Sequence, residues 1–355
     1  MEEVTQGETE LGGATIYKVA ELAGVSVATV SRMINASGYV SALSRERIAS
    51  AMQALHYEPN GLARSLTTKQ SELLALLLTD IGNPSSAQIA RGVQDAARQA
   101  GYIPIICSVD DDPLIEIETV RSLRRKRVDG MILTSLTETH GTATADQVRT
   151  LHRLCEQGLA MVCIGRRPMH PRVDVVSTDT MTGARDAVAH LAALGHRRIG
   201  FIAGQISLGV ALGRLTGYRQ GLADAGLAAD TRLVREGHLN EESGRLETLV
   251  LLQLPDPPTA IFCVNDRTAF GVLSALVERG RRVPDDISVI GFDDVPLAAL
   301  VHPALTTVSQ PAHELGRLAA TFLLERIARP DTPHQRSVLP CHLVVRRSTG
   351  PPSAA

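Results

Sequence analysis

Arg32 lies in a short run, Ser26-Val27-Ala28-Thr29-Val30-Ser31-Arg32-Met33-Ile34-Asn35, whose side chains suit reading a duplex better than making or breaking bonds. A guanidinium can bond guanine O6 and N7 together, hydroxyls and a carboxamide can bond phosphate oxygens, and Val27 and Ala28 can touch thymine methyl groups. Groups at catalytic spacing are absent from the sequence. It has no Walker A loop, no G-x-S-x-G elbow, no HExxH and no Cys/His cluster at ligand spacing. The five cysteines, Cys107, Cys155, Cys163, Cys263 and Cys341, are scattered and never form a CxxC pair, so neither a disulfide framework nor a metal site is expected, and no cofactor is implied. His196, followed by Arg197 and Arg198, reads as a solvated helix end, and Asp293-Asp294 lacks a third ligand nearby in the sequence. An enzyme is therefore not expected.

Side chains that read a groove need a rigid mount. Thr15 can cap a first helix, Gly24 supplies the left-handed residue that ends it, and Ser26 can cap a second. Val19, Ala20, Ala23, Val30 and Ile34 fall at helical spacings and can form a shared core. That pattern is a helix-turn-helix, whose second helix enters the major groove. A third helix is expected after Ser41, with Ile48, Met52 and Leu55 covering the first two, ending near Tyr57-Glu58-Pro59. Asn60 can then cap Gly61-Leu62-Ala63-Arg64-Ser65-Leu66, too short to be helical alone in water. Residues 15–70 carry six basic side chains against three acidic ones, a mild net charge of +3, so binding must rest on placed contacts and dimerisation.

The chain as a whole has 355 residues, 44% apolar and 21% charged, with a net charge of −2, enough for two or three cored domains. No apolar run approaches the roughly 18 residues that span a bilayer. The start, Met1-Glu2-Glu3 with Glu8 and Glu10, is not an export signal, so a soluble, cytoplasmic protein without a membrane partner is expected. From about residue 72, apolar runs alternate with helical patterns, the form of repeated βαβ units and a parallel sheet. The expected strands are Leu73–Thr79, Ile103–Ser108, Met131–Thr134, Ala160–Gly165, Ile199–Ala203, Ala260–Val264 and Ile287–Phe292. Their continuous hydrophobicity suits strands covered on both faces. A region this long exceeds a single core, so two α/β lobes with a ligand cleft at the carboxyl ends of the strands are expected.

Thr15-Ile16-Tyr17, Ala20-Glu21-Leu22-Ala23-Gly24-Val25-Ser26, Ala28-Thr29-Val30-Ser31-Arg32, Asn35 and Pro59-Asn60 before Ala63-Arg64-Ser65-Leu66 closely resemble the head of the LacI/GalR (lactose-repressor) family. Ile81-Gly82-Asn83-Pro84, Val264-Asn265-Asp266, Ile290-Gly291-Phe292-Asp293-Asp294 and Leu305-Thr306-Thr307-Val308-Ser309-Gln310-Pro311 look like that family's effector domain. The resemblance implies an all-α helix-turn-helix head on a doubly wound, two-lobed body like the periplasmic sugar-binding proteins. The acidic stretch at 1–14 has no structural signal and reads as a disordered leader, while the resemblance implies a head at 15–59, a hinge helix and linker at 60–71, and a body at 72–348, before a short tail at 349–355. The lobes would comprise about 72–177 with 310–339, and about 178–309 with 340–348.

By the same resemblance, the DNA-contacting residues are Thr15, Tyr17, Ser26, Val27, Ala28, Thr29, Ser31, Arg32 and Asn35 in the head and Asn60, Ala63, Arg64 and Leu66 in the hinge. Leu66 would wedge into the central base step of a pseudo-palindromic double-stranded operator. Arg214, Asn265 and Asp293 match effector-facing positions, and their chemistry suits a polyol or nucleoside, while Arg166, following a strand, is a fourth candidate. Asp293 or Asp294 could instead merely cap the next helix, Asn265 could cap the helix after its strand, and Arg214 could be solvated. Leu239 stands where relatives often place a stacking aromatic, and Gly165 where some carry an acid. No C-terminal leucine heptad is present, so a homodimer is expected. The function implied is a repressor controlled allosterically by a small polar effector, against the alternative of a solute-binding protein with no DNA role.

Overall fold

The computed structural model describes residues 14–35, 37–58, 70–110, 112–134, 145–165, 170–204 and 209–353. The chain divides into two compact units between Glu72 and Leu73. The first holds α1 (Ile16–Ala23), α2 (Val27–Ile34) and α3 (Ala42–Ala54). Local chemistry sets these boundaries: Thr15 Oγ1 accepts from Lys18 N at 3.4 Å and Ser26 Oγ accepts from Thr29 N at 3.2 Å. Gly24, at φ 64°, turns the chain between the two helices. Val19, Ala20, Ala23 and Val30 close the core with Val40, Ile48 and Ala51, while Ile34 and Met52 cover its edge. The third helix stops at Ala54, earlier than expected, because His56 takes a left-handed φ of 46°. Tyr57 still packs against the core from outside the helix.

The second unit contains, in chain order, β1 (Leu73–Leu78), α4 (Pro84–Gln99), β2 (Ile103–Ser108), α5 (Pro113–Arg125), β3 (Gly130–Leu133), α6 (Ala145–Glu156), β4 (Ala160–Ile164), β5 (Asp174–Thr178) and α7 (Thr180–Ala193). There follow β6 (Ile199–Ile202), α8 (Gly209–Asp224), β7 (Val234–Arg235), α9 (Glu241–Leu252), β8 (Ala260–Cys263), α10 (Asp266–Glu278), β9 (Ser288–Asp293), β10 (Thr306–Ser309), α11 (Ala312–Ala328), β11 (Arg336–Leu339) and β12 (His342–Val344). One six-stranded sheet runs β11-β5-β4-β3-β1-β2, and the other β12-β10-β9-β8-β6-β7. All pairings are parallel except that of β10 with β12. The fold is thus a helical head plus a two-lobed parallel α/β body, as the sequence implies. The chain passes between lobes after Thr178, after Ser309 and after Leu339, because α7 packs in the second lobe's core and α11 in the first's.

Every strand expected from the sequence is present to within a residue at either end. Five further strands, β5, β7, β10, β11 and β12, escaped that reading. β7, β11 and β12 lie at sheet edges, where one face meets water and hydrophobicity is diluted. β5 opens on Asp174, an acid that is buried because Arg326 bonds it at 2.7 and 3.0 Å and Gln335 N donates to it at 2.8 Å.

Two helices that start at the cleft are locked together by an absent side chain. A Cβ on Gly92 in α4 would stand 1.9 Å from the His313 carbonyl of α11, and one on Gly316 would stand 2.0 Å from that of Ile89. The two backbones therefore touch, which fixes the N-terminal ends of both helices against each other. His196 is not solvated, contrary to the sequence reading. Its ring nitrogens lie 2.9 Å from Thr259 Oγ1, 3.0 Å from Ser288 Oγ and 2.9 Å from the Gly350 carbonyl, and burial lowers its pKa. It pins the C-terminal segment to the second lobe.

Candidate functional site

On the head, α2 exposes Ser26, Ala28 and Arg32, while Thr29, Ser31 and Asn35 are half-buried. The expected phosphate-binding groups hold one another: Ser26 Oγ lies 2.9 Å from Thr29 Oγ1, and Asn35 Nδ2 donates to Ser31 Oγ at 3.2 Å. Val27 packs partly into the head core, so less of it than expected is free for a base. Thr15 is committed to its cap, and Tyr17 projects from α1 at 71% exposure. Sequence reasoning missed Tyr39, which stands 89% exposed in the turn between α2 and α3. An aromatic directly after Gly38 in a polar turn was the available signal. Asn60, Ala63, Arg64, Leu66 and Arg166 lie outside the described residues.

In the body, two of the four expected effector positions, Arg214 and Asp293, meet directly, and a third, Asn265, follows the Val264 whose carbonyl Arg214 holds. Arg214, on α8, is buried; its Nη1 donates to the Val264 carbonyl at the end of β8, and its Nη2 donates to Asp293 Oδ1 at 3.0 Å. Its guanidinium carbon lies 3.8 Å from the centroid of the Phe292 ring. Asp293 ends β9 with φ 114°, a left-handed backbone that turns its carboxylate back toward Arg214. Asn265 is occupied as the cap of α10, accepting from Thr268 N at 2.8 Å, while its Nδ2 donates to the Leu239 carbonyl at 3.1 Å.

Gln310, in the segment between β10 and α11, completes the cluster and escaped sequence reasoning, although its motif was noticed. Its Nε2 donates to Asp293 Oδ1 at 2.7 Å and lies 3.3 Å from Ser85 Oγ, while its Oε1 accepts from Thr178 Oγ1 at 3.2 Å. A residue on a crossing segment thereby joins both lobes at the ion pair. Ser85, Gln88, Asp293, Asp294, Gln310 and His313 are among the residues around a cavity of about 380 Å³. Arg214 Nε is buried with no hydrogen-bond partner among the described residues, a donor left over once the pair and the carbonyl are served. Burial pushes the Asp293 carboxyl up, and the bonds from Arg214 and Gln310 oppose the shift.

Beneath this cluster, Asp266 is buried and its carboxyl is pushed up to about 8, first by burial and then by the charge of Asp293. Its oxygens accept from Thr307 Oγ1 and, at 2.8 Å, from Val295 N. A carboxyl held above its unfolded pKa binds its proton more tightly in the native state. It therefore adds stability at low pH, and that addition is lost as pH rises from the ordinary carboxylate range through about 8. Asp266→Asn can keep both hydrogen bonds and has no proton to lose. Relative to wild type, its urea unfolding free energy should rise by about 1 kcal/mol or more between about pH 5 and pH 9. A constant difference across that range would contradict the assignment.

Among the described residues, no group of three His, Cys, Asp or Glu is placed to hold a metal, and no helix is long and apolar enough to cross a membrane. All five cysteines are free.

Residues 15–60 match the family described as bacterial regulatory proteins, lacI family, and residues 188–349 match a periplasmic binding protein-like domain. The transcriptional regulator DegA of Bacillus subtilis (strain 168) is 37% identical over 95% of this chain and 98% of its own length. The structure of the Lac repressor dimer bound to operator and the anti-inducer ONPF is 31% identical, covers 95% of this chain and 99% of its own, and superposes with a TM-score of 0.84. A transcriptional regulator CelR–cellobiose complex is 34% identical over 94% of this chain and 99% of its own, with a TM-score of 0.70. A head with capped reading helix, a two-lobed body and full-length likeness to such regulators leave one assignment: the chain belongs to the LacI family of bacterial regulatory proteins.

Proposed function

We propose that the protein is a cytoplasmic, homodimeric transcriptional repressor whose affinity for a pseudo-palindromic operator is set by a small polar effector, a sugar, sugar derivative or nucleoside, bound between its lobes. The observation that carries this is the joining, in one chain, of a helix-turn-helix exposing Arg32 and a cleft where Arg214, Asp293 and Gln310 meet. A solute-binding protein has no use for such a head. Arg32 reads a guanine, while Ser26, Thr29, Ser31 and Asn35 trade their mutual hydrogen bonds for phosphate contacts, and Thr15, Tyr17, Val27 and Ala28 complete the surface. Asn60, Ala63, Arg64 and Leu66 form the hinge that orders on the minor groove.

In the cleft, Asp293 accepts from ligand hydroxyls, and Arg214 offers the Nε that the protein leaves unused. Arg166 is a fourth contact. Asn265 acts through its bond to the Leu239 carbonyl, holding the aliphatic wall that stands in place of a stacking ring. Named relatives support the reading: one binds operator as a dimer with an anti-inducer, and another binds cellobiose. Ligand occupancy changes the angle between lobes, which decides whether the paired hinges can order on DNA. The coupling is of order 1–3 kcal/mol.

The test begins with a duplex enriched from a random library by the wild-type protein. Leu66→Ala should weaken binding to that duplex by about tenfold or more while leaving affinity for random duplex within about twofold. Equal losses on both duplexes would remove the hinge from the account.

A further inference from the structure

Asp80 and Arg267 lie 187 residues apart in sequence and belong to opposite lobes, yet Arg267 Nη1 donates to Asp80 Oδ2 at 2.7 Å. Asp80 follows β1 in the first sheet, and its other oxygen accepts from Gly82 N at 2.7 Å, which fixes the carboxylate's direction. Arg267 lies in the first turn of α10, whose Ala269, Val272 and Leu276 are buried in the second lobe. The rest of its guanidinium is used at home: Nε and Nη2 donate to the two oxygens of Glu241, at the start of α9, at 2.8 and 2.9 Å. A planar fork gripped along one edge cannot swing, so its remaining nitrogen is aimed across the cleft. Hydrogen bonding to Arg267 holds the Glu241 carboxyl below the usual range.

We propose that Asp80 and Arg267 form an electrostatic latch across the mouth of the cleft, with Glu241 as its fixed mount, and that this latch sets the fraction of ligand-free protein whose lobes are closed. No described chemistry of the effector contacts requires it. The Arg267 and Asp80 side chains are 22% and 46% exposed, so their attraction is shared with solvent and yields to salt. Closed protein binds effector from a pre-formed cleft, whereas open protein must first close, and the apparent affinity falls by the closed fraction. This last consequence rests on the effector-binding reading; the latch itself does not.

Hydrogen–deuterium exchange of the ligand-free, full-length protein tests the latch without DNA or effector, so a failed effector search and a failed latch remain distinguishable. Peptides covering residues 293–300 and 310–316, which include the cavity lining, report opening, and peptides covering β8 report the second lobe's own stability. In low salt, Arg267→Gln and Asp80→Asn should each speed exchange at the lining about two- to fivefold, with no further gain in the double variant. Asp80→Lys, which sets two cations face to face, should speed it more than Asp80→Asn. Raising the salt should speed exchange in the wild type and leave the neutral variants unchanged. Wild-type exchange that ignores salt, additive single effects, or an equal rise in the β8 peptides would each overturn the proposal.

Discussion

Arg214→Met will lower the unfolding free energy by about 3–5 kcal/mol at neutral pH, because it leaves the Asp293 carboxylate buried without its cation. Both side chains of the pair are almost fully enclosed, at 4% and 5% exposure, so the little water that reaches Asp293 from the cavity replaces the lost cation poorly. The sign of the pH dependence follows from the carboxyl. Burial already pushes Asp293 above the usual range, and removing Arg214 pushes it further, so the variant regains stability as pH falls and the carboxyl takes up a proton. Adding Asp293→Leu to Arg214→Met removes the stranded charge as well. The double variant should recover part of the loss, since an apolar pair commonly substitutes for a buried ion pair, while leucine at φ 114° and the Gln310 Nε2 that loses this acceptor retain some of the cost. Urea unfolding of the three proteins at two pH values checks both statements, and a double variant no better than the single would show that packing over Phe292 dominates.

The second large effect falls on the head. Arg32→Ala should cost about 1–3 kcal/mol per half-site and relax discrimination at one base pair in each. Arg32 is solvent-exposed, so the fold should be untouched. Titration against duplexes carrying single base changes separates this from a phosphate contact, whose loss weakens every duplex alike. A uniform loss would move guanine reading to another residue, and Tyr39, standing 89% exposed beside α2, is the next one to replace.

These residues differ in how far the sequence alone exposes them. The head is legible because its determinants are local: Thr15, Gly24 and Ser26 act within three or four residues of themselves. Strands such as β1 and β8 are legible because burial on both faces makes them continuously apolar. Features built from distant partners are not. The three partners of His196 lie 63, 92 and 154 residues away, so a His-Arg-Arg run looks like a wet helix end. Gln310 shows nothing locally of Thr178, Ser85 and Asp293, which it joins. The Asp80–Arg267 contact spans 187 residues, and neither side chain stands out from the chain's other charges. Asn265 is the intermediate case, since its place after a strand admits both a cap and a ligand contact, and the fold fills the cap.

The proposed function requires communication between a cleft that holds Arg214 and Asp293 and a head that holds Arg32. Its most direct test is the affinity of the full-length protein for its library-selected duplex, at fixed salt, with and without a panel of sugars, sugar phosphates and nucleosides. At least one compound should change that affinity by about five- to 150-fold in wild type and leave Arg214→Met/Asp293→Leu unchanged. Selective duplex binding that no compound alters, or a shift that persists undiminished in the double variant, would contradict it.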